Sequence, residues 1–330
     1  MLINRKRDFA ILVGVVLIVM LTPIAVGEYY RYLIRLICVY TLLALGLNIF
    51  MGFAGQINLG SAGFFCIGAY SATLLVTKLG LNYFAAMPAA IFLTVIIAWG
   101  MSYPLLRLRG HAMAIGTLAF AMAIFLVAAR THWLTGGENG IVPPPVFLFG
   151  QQLGNMFFYY FILAITVAGF IFCYFLVNSR IGRALKAIRD NEAGAEAVGI
   201  DIVHYKRFAW LISAAFGGVA GSLFGQQSNF LGPETFALWT NILALVMICV
   251  GGMGHNIGAV IGAAIMTTLP YLVQGVAGYV LLLQAIVLFF VLRFLPGGVV
   301  GAVQKILSRR LQHRMKTGNL WDFSTTDEKM

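Results

Sequence analysis

Ten apolar runs, each about twenty residues long and nearly free of charge, follow one another along the chain: 9–27, 32–51, 56–77, 84–106, 111–130, 157–177, 208–228, 236–254, 257–275 and 277–295. A bilayer core about 30 Å thick takes about 20 residues of helix to cross. The runs do not alternate in polarity, so they read as helices and not as barrel strands. Gly and amide residues interrupt 56–77 and 236–254. Of 330 residues, 61% are hydrophobic and 10% charged, against roughly 25% charged in soluble domains. Polar surface cannot cover such a chain, and lipid must. The expected fold is an all-α polytopic membrane protein of about ten transmembrane helices. Residues 1–300 form the membrane domain, and 301–330 a cytoplasmic tail.

Charge placement tests that count. With a cytoplasmic N-terminus, ten crossings leave 52–55, 107–110, 178–207, 255–256 and both tails inside. Eighteen of the 22 Lys and Arg residues then fall on the cytoplasmic side, and only Arg31, Arg35, Lys78 and Arg130 outside. Such a bias is what orients membrane proteins. It predicts both termini inside, and it assigns the net charge of +11 to phospholipid contact and not to nucleic acid. Arg5-Lys6-Arg7 before an apolar run resembles the start of a signal peptide, but 22–27 offers a poor cleavage site, so an uncleaved first helix is expected. Cys38, Cys66, Cys173 and Cys249 lie inside apolar runs without paired spacing. They read as small buried hydrophobes, with no metal site or cofactor implied.

Three polar islands break the pattern. Residues 131–156, with T-G-G-E-N-G at 135–140 and three prolines at 143–145, read either as an ordered lid or docking loop or as a plain connector. Residues 178–207 carry Ala184, Leu185, Ala187 and Ile188 at helical spacing, with Arg183, Lys186 and Arg189 opposite. Asp190-Asn191 can cap a second short helix and Gly199 can end it. Two short amphipathic helices make either a docking surface or a basic loop lying on lipid. The third island is the tail from Lys305, basic and then acidic. A weak echo links Gly52–Gln56 to Gly251–His255, each followed by a new apolar run. The expected topology puts both at cytoplasmic ends, as a parallel repeat.

All eleven acids lie in loops or at segment ends, which removes most support for proton coupling through a buried carboxylate. No Gly-Lys pair occurs, so the chain lacks a phosphate-cradling loop of the G-x-x-x-x-G-K-[S/T] kind. If ATP drives it, another polypeptide binds the nucleotide and pushes on 178–207. The stretch G-F-A-G-Q-I-N-L-G-S-A-G-F-F-C-I-G-A-Y at 52–70 is the best candidate for a solute path. Gln56, Asn58 and Ser61 offer amide and hydroxyl groups, while Gly55 and Gly60 let backbones approach. A helix starting near Asn58 to Ser61 would present N–H groups to a carboxylate. Packing of small residues between helices explains the same pattern.

These residues, with L-R-L-R-G-H-A-M-A-I-G-T-L-A-F, L-T-G-G-E-N-G-I, S-R-I-G-R-A-L-K-A-I-R-D-N-E-A-G-A-E-A-V-G-I and G-P-E-T-F following in order, resemble the LivM-type permeases of branched-chain amino acid ABC importers over roughly 40–300. The resemblance implies a non-enzymatic transport subunit. Its partners would be a second, LivH-like permease, two cytoplasmic ATP-binding subunits and a periplasmic amino-acid-binding protein. It implies ATPase coupling at Arg183, Glu192, Ala193, Glu196, Ala197 and Gly199, and docking of the binding protein at Gly136, Gly137 and Asn139. Family members often carry His where Ser61 stands, which opens the substrate to urea, amides or aromatic acids. The alternative is a secondary transporter or facilitator acting alone.

Overall fold

The computed structural model describes residues 23, 27–108, 110–148, 151–152, 154–272, 280–294, 297–302 and 305. Among the described residues, eleven α-helices of six or more residues carry the fold: α1 (Glu28–Leu47), α2 (Ser61–Leu79), α3 (Tyr83–Leu105), α4 (His111–Arg130), α5 (Asn155–Asn178), α6 (Arg180–Asp190), α7 (Glu192–Ala197), α8 (Ile202–Gln227), α9 (Leu238–Gly251), α10 (Asn256–Leu272) and α11 (Val280–Phe294). One small ribbon, β1 (Phe147–Leu148) against β2 (Gln151–Gln152), is the sheet among the described residues. The expected run at 9–27 and most of the tail lie outside them.

Among the described residues, six helices, counting α1 with its extension to Phe53, are long and apolar enough to cross a membrane. The last three are shorter, and α9 has 14 residues, about 21 Å at 1.5 Å per residue. The expected segment 236–254 is one helix, shortened at both ends to Leu238–Gly251. A 3₁₀ turn at Pro233–Phe236 precedes it, where Pro233 disfavours a continuous helix.

Burial sorts the long helices into two shells. The apolar windows of α1 with its extension, α8 and α2 are 83%, 72% and 61% buried, whereas those of α3, α4 and α5 are 28–33% buried. The outer shell exposes large apolar residues such as Phe92, Ile115, Phe172 and Phe175, as lipid contact requires. The described acids stand in loops or at helix ends, as expected. Cys38, Cys66 and Cys173 are buried and Cys249 half-buried inside their helices.

Small residues bring the inner helices together. Along α8, Gly217, Gly221 and Gly225 recur every four residues and put one glycine face against α2. A methyl on Gly221 would fall far inside contact distance of the Phe65 carbonyl oxygen and 2.8 Å from the Ala69 nitrogen. Lipid tails give helices no hydrophobic reason to associate, so close backbone packing of this kind holds them. Two large polar rings drawn into the core are paired: Trp210 Nε1 donates to the Ala98 carbonyl at 2.9 Å and Tyr83 Oη to the Ser222 carbonyl at 3.1 Å.

The loops sort into two opposite groups. Arg189 and Glu192 meet Gly52 and Gln56, Asn48 meets Gly254, and Arg207 lies 4.7 Å from the Tyr103 ring. In the other group Arg35 donates to the Asn155 carbonyl at 3.0 Å, Gln226 to that of Pro144 at 2.7 Å, and Lys78 to that of Trp133. The charge pattern puts the first group on one side and the second on the other.

Candidate functional site

The polar path begins where α1 loses its regular pitch. Residues Asn48–Phe53 form a π-helix, a widened turn that frees backbone groups and often marks a functional position. Buried Asn48 stabilises it from outside, since its Oδ1 accepts from the Gly254 N–H at 2.9 Å. The chain then runs without helix from Ala54 to Gly60. Gly55 turns it at φ 70°, a left-handed conformation that costs other residues roughly 1–2 kcal/mol. At Ser61 the chain re-enters the helix. The start expected between Asn58 and Ser61 is where α2 begins, with Gly60 as its N-cap.

Gln56, Asn58 and Ser61 are all buried, at 9%, 1% and 2% exposure. The expectation that free N–H groups stand at this helix start needs correction. The Leu59 N–H donates to Thr117 Oγ1 at 3.0 Å, the Gly60 N–H to Asn58 Oδ1 at 2.7 Å, and the Ala62 N–H to Asn241 Oδ1 at 2.8 Å. Buried N–H groups must find acceptors where water cannot supply them, and α4 and α9 supply two of the three. Gly60 is also a packing position, because a Cβ there would meet the Thr117 carbonyl oxygen at 2.5 Å. Side-chain groups remain open: Asn58 Nδ2, Ser61 Oγ and Asn241 Nδ2 are buried without a partner among the described residues.

The helical pair at 180–197 forms as its caps dictate. Ser179 Oγ accepts from the Gly182 N–H at the start of α6, Asn191 Oδ1 from that of Gly194 at the start of α7, and Gly199 closes the second helix at φ 82°. Ala184, Leu185 and Ile188 are buried and Arg183, Lys186 and Arg189 face outward. The residues expected to act together divide between two directions. Arg183, Ala193, Glu196, Ala197 and Gly199 are exposed. Of these, Glu196 and Gly199 line a surface depression of about 330 Å³, together with Ile200, Asp201, Ile202 and Val203. Glu192 turns inward. Its Oε1 accepts from Gln56 Nε2 at 3.0 Å and from Lys206 Nζ at 2.7 Å. Beside it Arg189 donates to the Gly52 carbonyl, with its stem against Gly55 and its guanidinium at Gly254. Arg189 thus holds the two echoing glycine loops together. Arg189→Ala is expected to slow uptake about tenfold, the equivalent of one charge-assisted bond, with membrane insertion unchanged. Uptake at the wild-type rate in vesicles would remove Arg189 from the linkage.

On the opposite face, 131–148 is ordered by its own hydrogen bonds. Thr135 Oγ1 lies 2.6 Å from the Ala128 carbonyl and 2.8 Å from that of Thr131, and accepts from the Gly137 N–H at 3.3 Å. Ile141 pairs with Leu231 through bonds of 3.0 and 2.9 Å. Gly137 is buried beneath His132, Gly136 is half-buried and Asn139 exposed.

Sequence reasoning passed over Asn48, Arg189 as an individual contact, Thr117 and Asn241. Two left a signal. Asn48 in A-L-G-L-N-I-F and Asn241 in W-T-N-I-L-A-L are lone amides inside uncharged helices, where an amide without a partner is costly.

A lipid-exposed helical bundle, a buried polar re-entry at its centre and an amphipathic helical pair bonded to it define a multi-pass membrane transport protein. Residues 29–312 match the family described as branched-chain amino acid transport system / permease component. The chain belongs to that family. It is 29% identical over 288 residues to the high-affinity branched-chain amino acid transport system permease protein LivM of Salmonella typhimurium, covering 79% of this chain and 68% of that one. To LivM of Escherichia coli it is 28% identical over 315 residues, 88% of this chain and 74% of that one. A probable LivH permease of Methanocaldococcus jannaschii is 26% identical over 292 residues, 82% and 91% of the two chains. No solved structure matches.

Proposed function

We propose that this chain is the membrane-spanning permease subunit of an ATP-driven, binding-protein-dependent importer. It carries branched-chain or related amino acids into the cytoplasm through the inner membrane of a bacterium. It crosses about ten times, with both termini inside. It pairs with a LivH-like permease, two ATP-binding subunits dock on the exposed face of α6 and α7, and a periplasmic binding protein delivers solute at Gly136, Gly137 and Asn139. The resemblance of this one chain to both LivM and LivH relatives supports the permease pair.

One observation carries the coupling: the Glu192–Gln56 hydrogen bond at 3.0 Å. It ties the helix pair that presents the exposed surface to the first buried polar residue of the path. Movement of α7 under an ATPase subunit therefore pulls directly on the chain between the π-helix and α2. Gly199 gives the exposed turn its shape, and a Cβ there meets nothing within 4 Å. Gly199→Val is expected to abolish uptake through the left-handed backbone alone, at a cost of roughly 1–2 kcal/mol, while insertion stays intact. Uptake by that variant at the wild-type rate refutes the role.

The test of the whole reading is reconstitution with the second permease, the ATP-binding subunits and the binding protein in liposomes. A panel of labelled amino acids should enter only with ATP and binding protein present. Accumulation driven by the isolated chain without nucleotide would overturn the reading in favour of a facilitator.

A further inference from the structure

We infer that Asn58, Ser61 and Asn241 form the receptor for the carboxylate of the transported solute, at the N-terminus of α2. The inference deepens the proposed function and rests on it.

Two backbone bonds fix the orientation of both amides. Asn58 Oδ1 is held by the Gly60 N–H and Asn241 Oδ1 by the Ala62 N–H. A carbonyl oxygen used in this way leaves the NH₂ group on the other side of the same amide. Both Nδ2 groups are therefore free donors anchored one residue before and one residue after Ser61. The Ser61 hydroxyl is the third open group. Asn58, Ser61 and Asn241 are 1%, 2% and 1% exposed, so solvent does not satisfy them.

Three unpaired donors at one helical turn are costly unless an acceptor visits them. The charge they suit is negative, because α2 is 19 residues long and its dipole adds partial positive charge at that end. Among the described residues no carboxylate bonds to these three groups, and Glu192, the acid that reaches Gln56, is engaged there and at Lys206. One turn further along α2 the walls become aromatic. The Phe64 ring lies 4.9 Å from that of Trp210 and 5.3 Å from that of Phe120, and the Phe65 ring lies 5.3 Å from that of Phe236. A solute with a carboxylate at one end and an apolar body at the other matches this order of surfaces.

Asn241→Asp and Ser61→Ala test the assignment in the reconstituted importer, with tritiated leucine as probe. The aspartate keeps the oxygen that caps the Ala62 N–H but replaces the donor with a negative charge. Burying that charge at 1% exposure is itself costly, so uptake by Asn241→Asp is compared only once its complex is shown to assemble. Removing the unpartnered Ser61 hydroxyl breaks no bond of the fold. We expect each variant to lose about tenfold or more in leucine uptake, with complex assembly and ATP hydrolysis in the absence of solute unchanged. Should Asn241→Asp fail to assemble, Ser61→Ala alone decides the matter. Leucine uptake at the wild-type rate by Ser61→Ala overturns the carboxylate site. Failure of the unmutated complex to take up leucine with ATP counts against the proposed function instead, and the two failures are thereby distinct.

Discussion

Glu192→Ala should cut ATP-dependent uptake by about tenfold or more while ATP hydrolysis by the assembled importer continues. Glu192 Oε1 holds Gln56 Nε2 at 3.0 Å and Lys206 Nζ at 2.7 Å. The Lys206 side chain is 10% exposed and that of Glu192 43%, so the pair sits where solvent screens it only in part. Its share of folding stability is accordingly small, about 1 kcal/mol, and the chain should insert and fold normally. Transport is expected to be affected far more, because on the proposed coupling the bond joins two elements that move together. Without it, α7 can shift while Gln56 stays in place, and nucleotide is spent without solute movement. Loss of one charge-assisted bond corresponds to about tenfold in rate. Comparing Glu192→Ala, Gln56→Ala and the double variant sharpens the test. If the bond is the link, the double variant is no worse than either single one. Additive losses, or uptake at the wild-type rate in Glu192→Ala, would show that force reaches the path by another route.

The second large effect concerns folding. Gly221→Ala is expected to leave little folded protein in the membrane. A Cβ at Gly221 collides with the Phe65 carbonyl and lies 2.8 Å from the Ala69 nitrogen, both of them rigid helix backbone. No rotamer change relieves that clash, so α2 and α8 must separate. Overpacking typically costs about 1–3 kcal/mol, and a backbone–backbone clash between the two central helices belongs at the top of that range or beyond it. Gly100→Ala provides the contrast. Gly100 lies inside α3, and a Cβ there meets nothing within 4 Å. That substitution should raise stability by up to about 1 kcal/mol through helix propensity. Size-exclusion profiles and thermal melting in detergent separate the two. A Gly221→Ala protein that melts with the wild type would refute the tight α2–α8 interface.

Much of the architecture is written in local residue patterns. The apolar run 111–130 coincides with α4, and 157–177 falls within α5, whose ends differ by one or two residues. Asn191 caps α7 and Gly199 closes it because an Asx side chain and a left-handed glycine act within four residues of themselves. Ser61 starts α2 for a similar reason, since the glycines and amides before it cannot hold a buried helix together. The path residues Gln56, Asn58 and Ser61 stood out as polar groups in an apolar setting.

What each of these groups bonds to was not legible. Gln56 and Glu192 are 136 residues apart, Gly52 and Arg189 137, and Ala62 and Asn241 179. The π-helix at Asn48–Phe53 forms where Asn48 finds the Gly254 N–H, 206 residues away. The shortening of the expected 236–254 segment to Leu238–Gly251 was likewise not legible in its hydrophobicity. Sequence alone determined that the chain lies in a membrane, where helices such as α4 and α5 begin and end to within two residues, and which polar residues stand apart, because hydrophobic length and capping depend on near neighbours. Tertiary structure decided which N–H groups are already paired, which side-chain donors stay open, and that Glu192 points inward. Those outcomes rest on bonds between segments 58 to 206 residues apart, which no local pattern encodes.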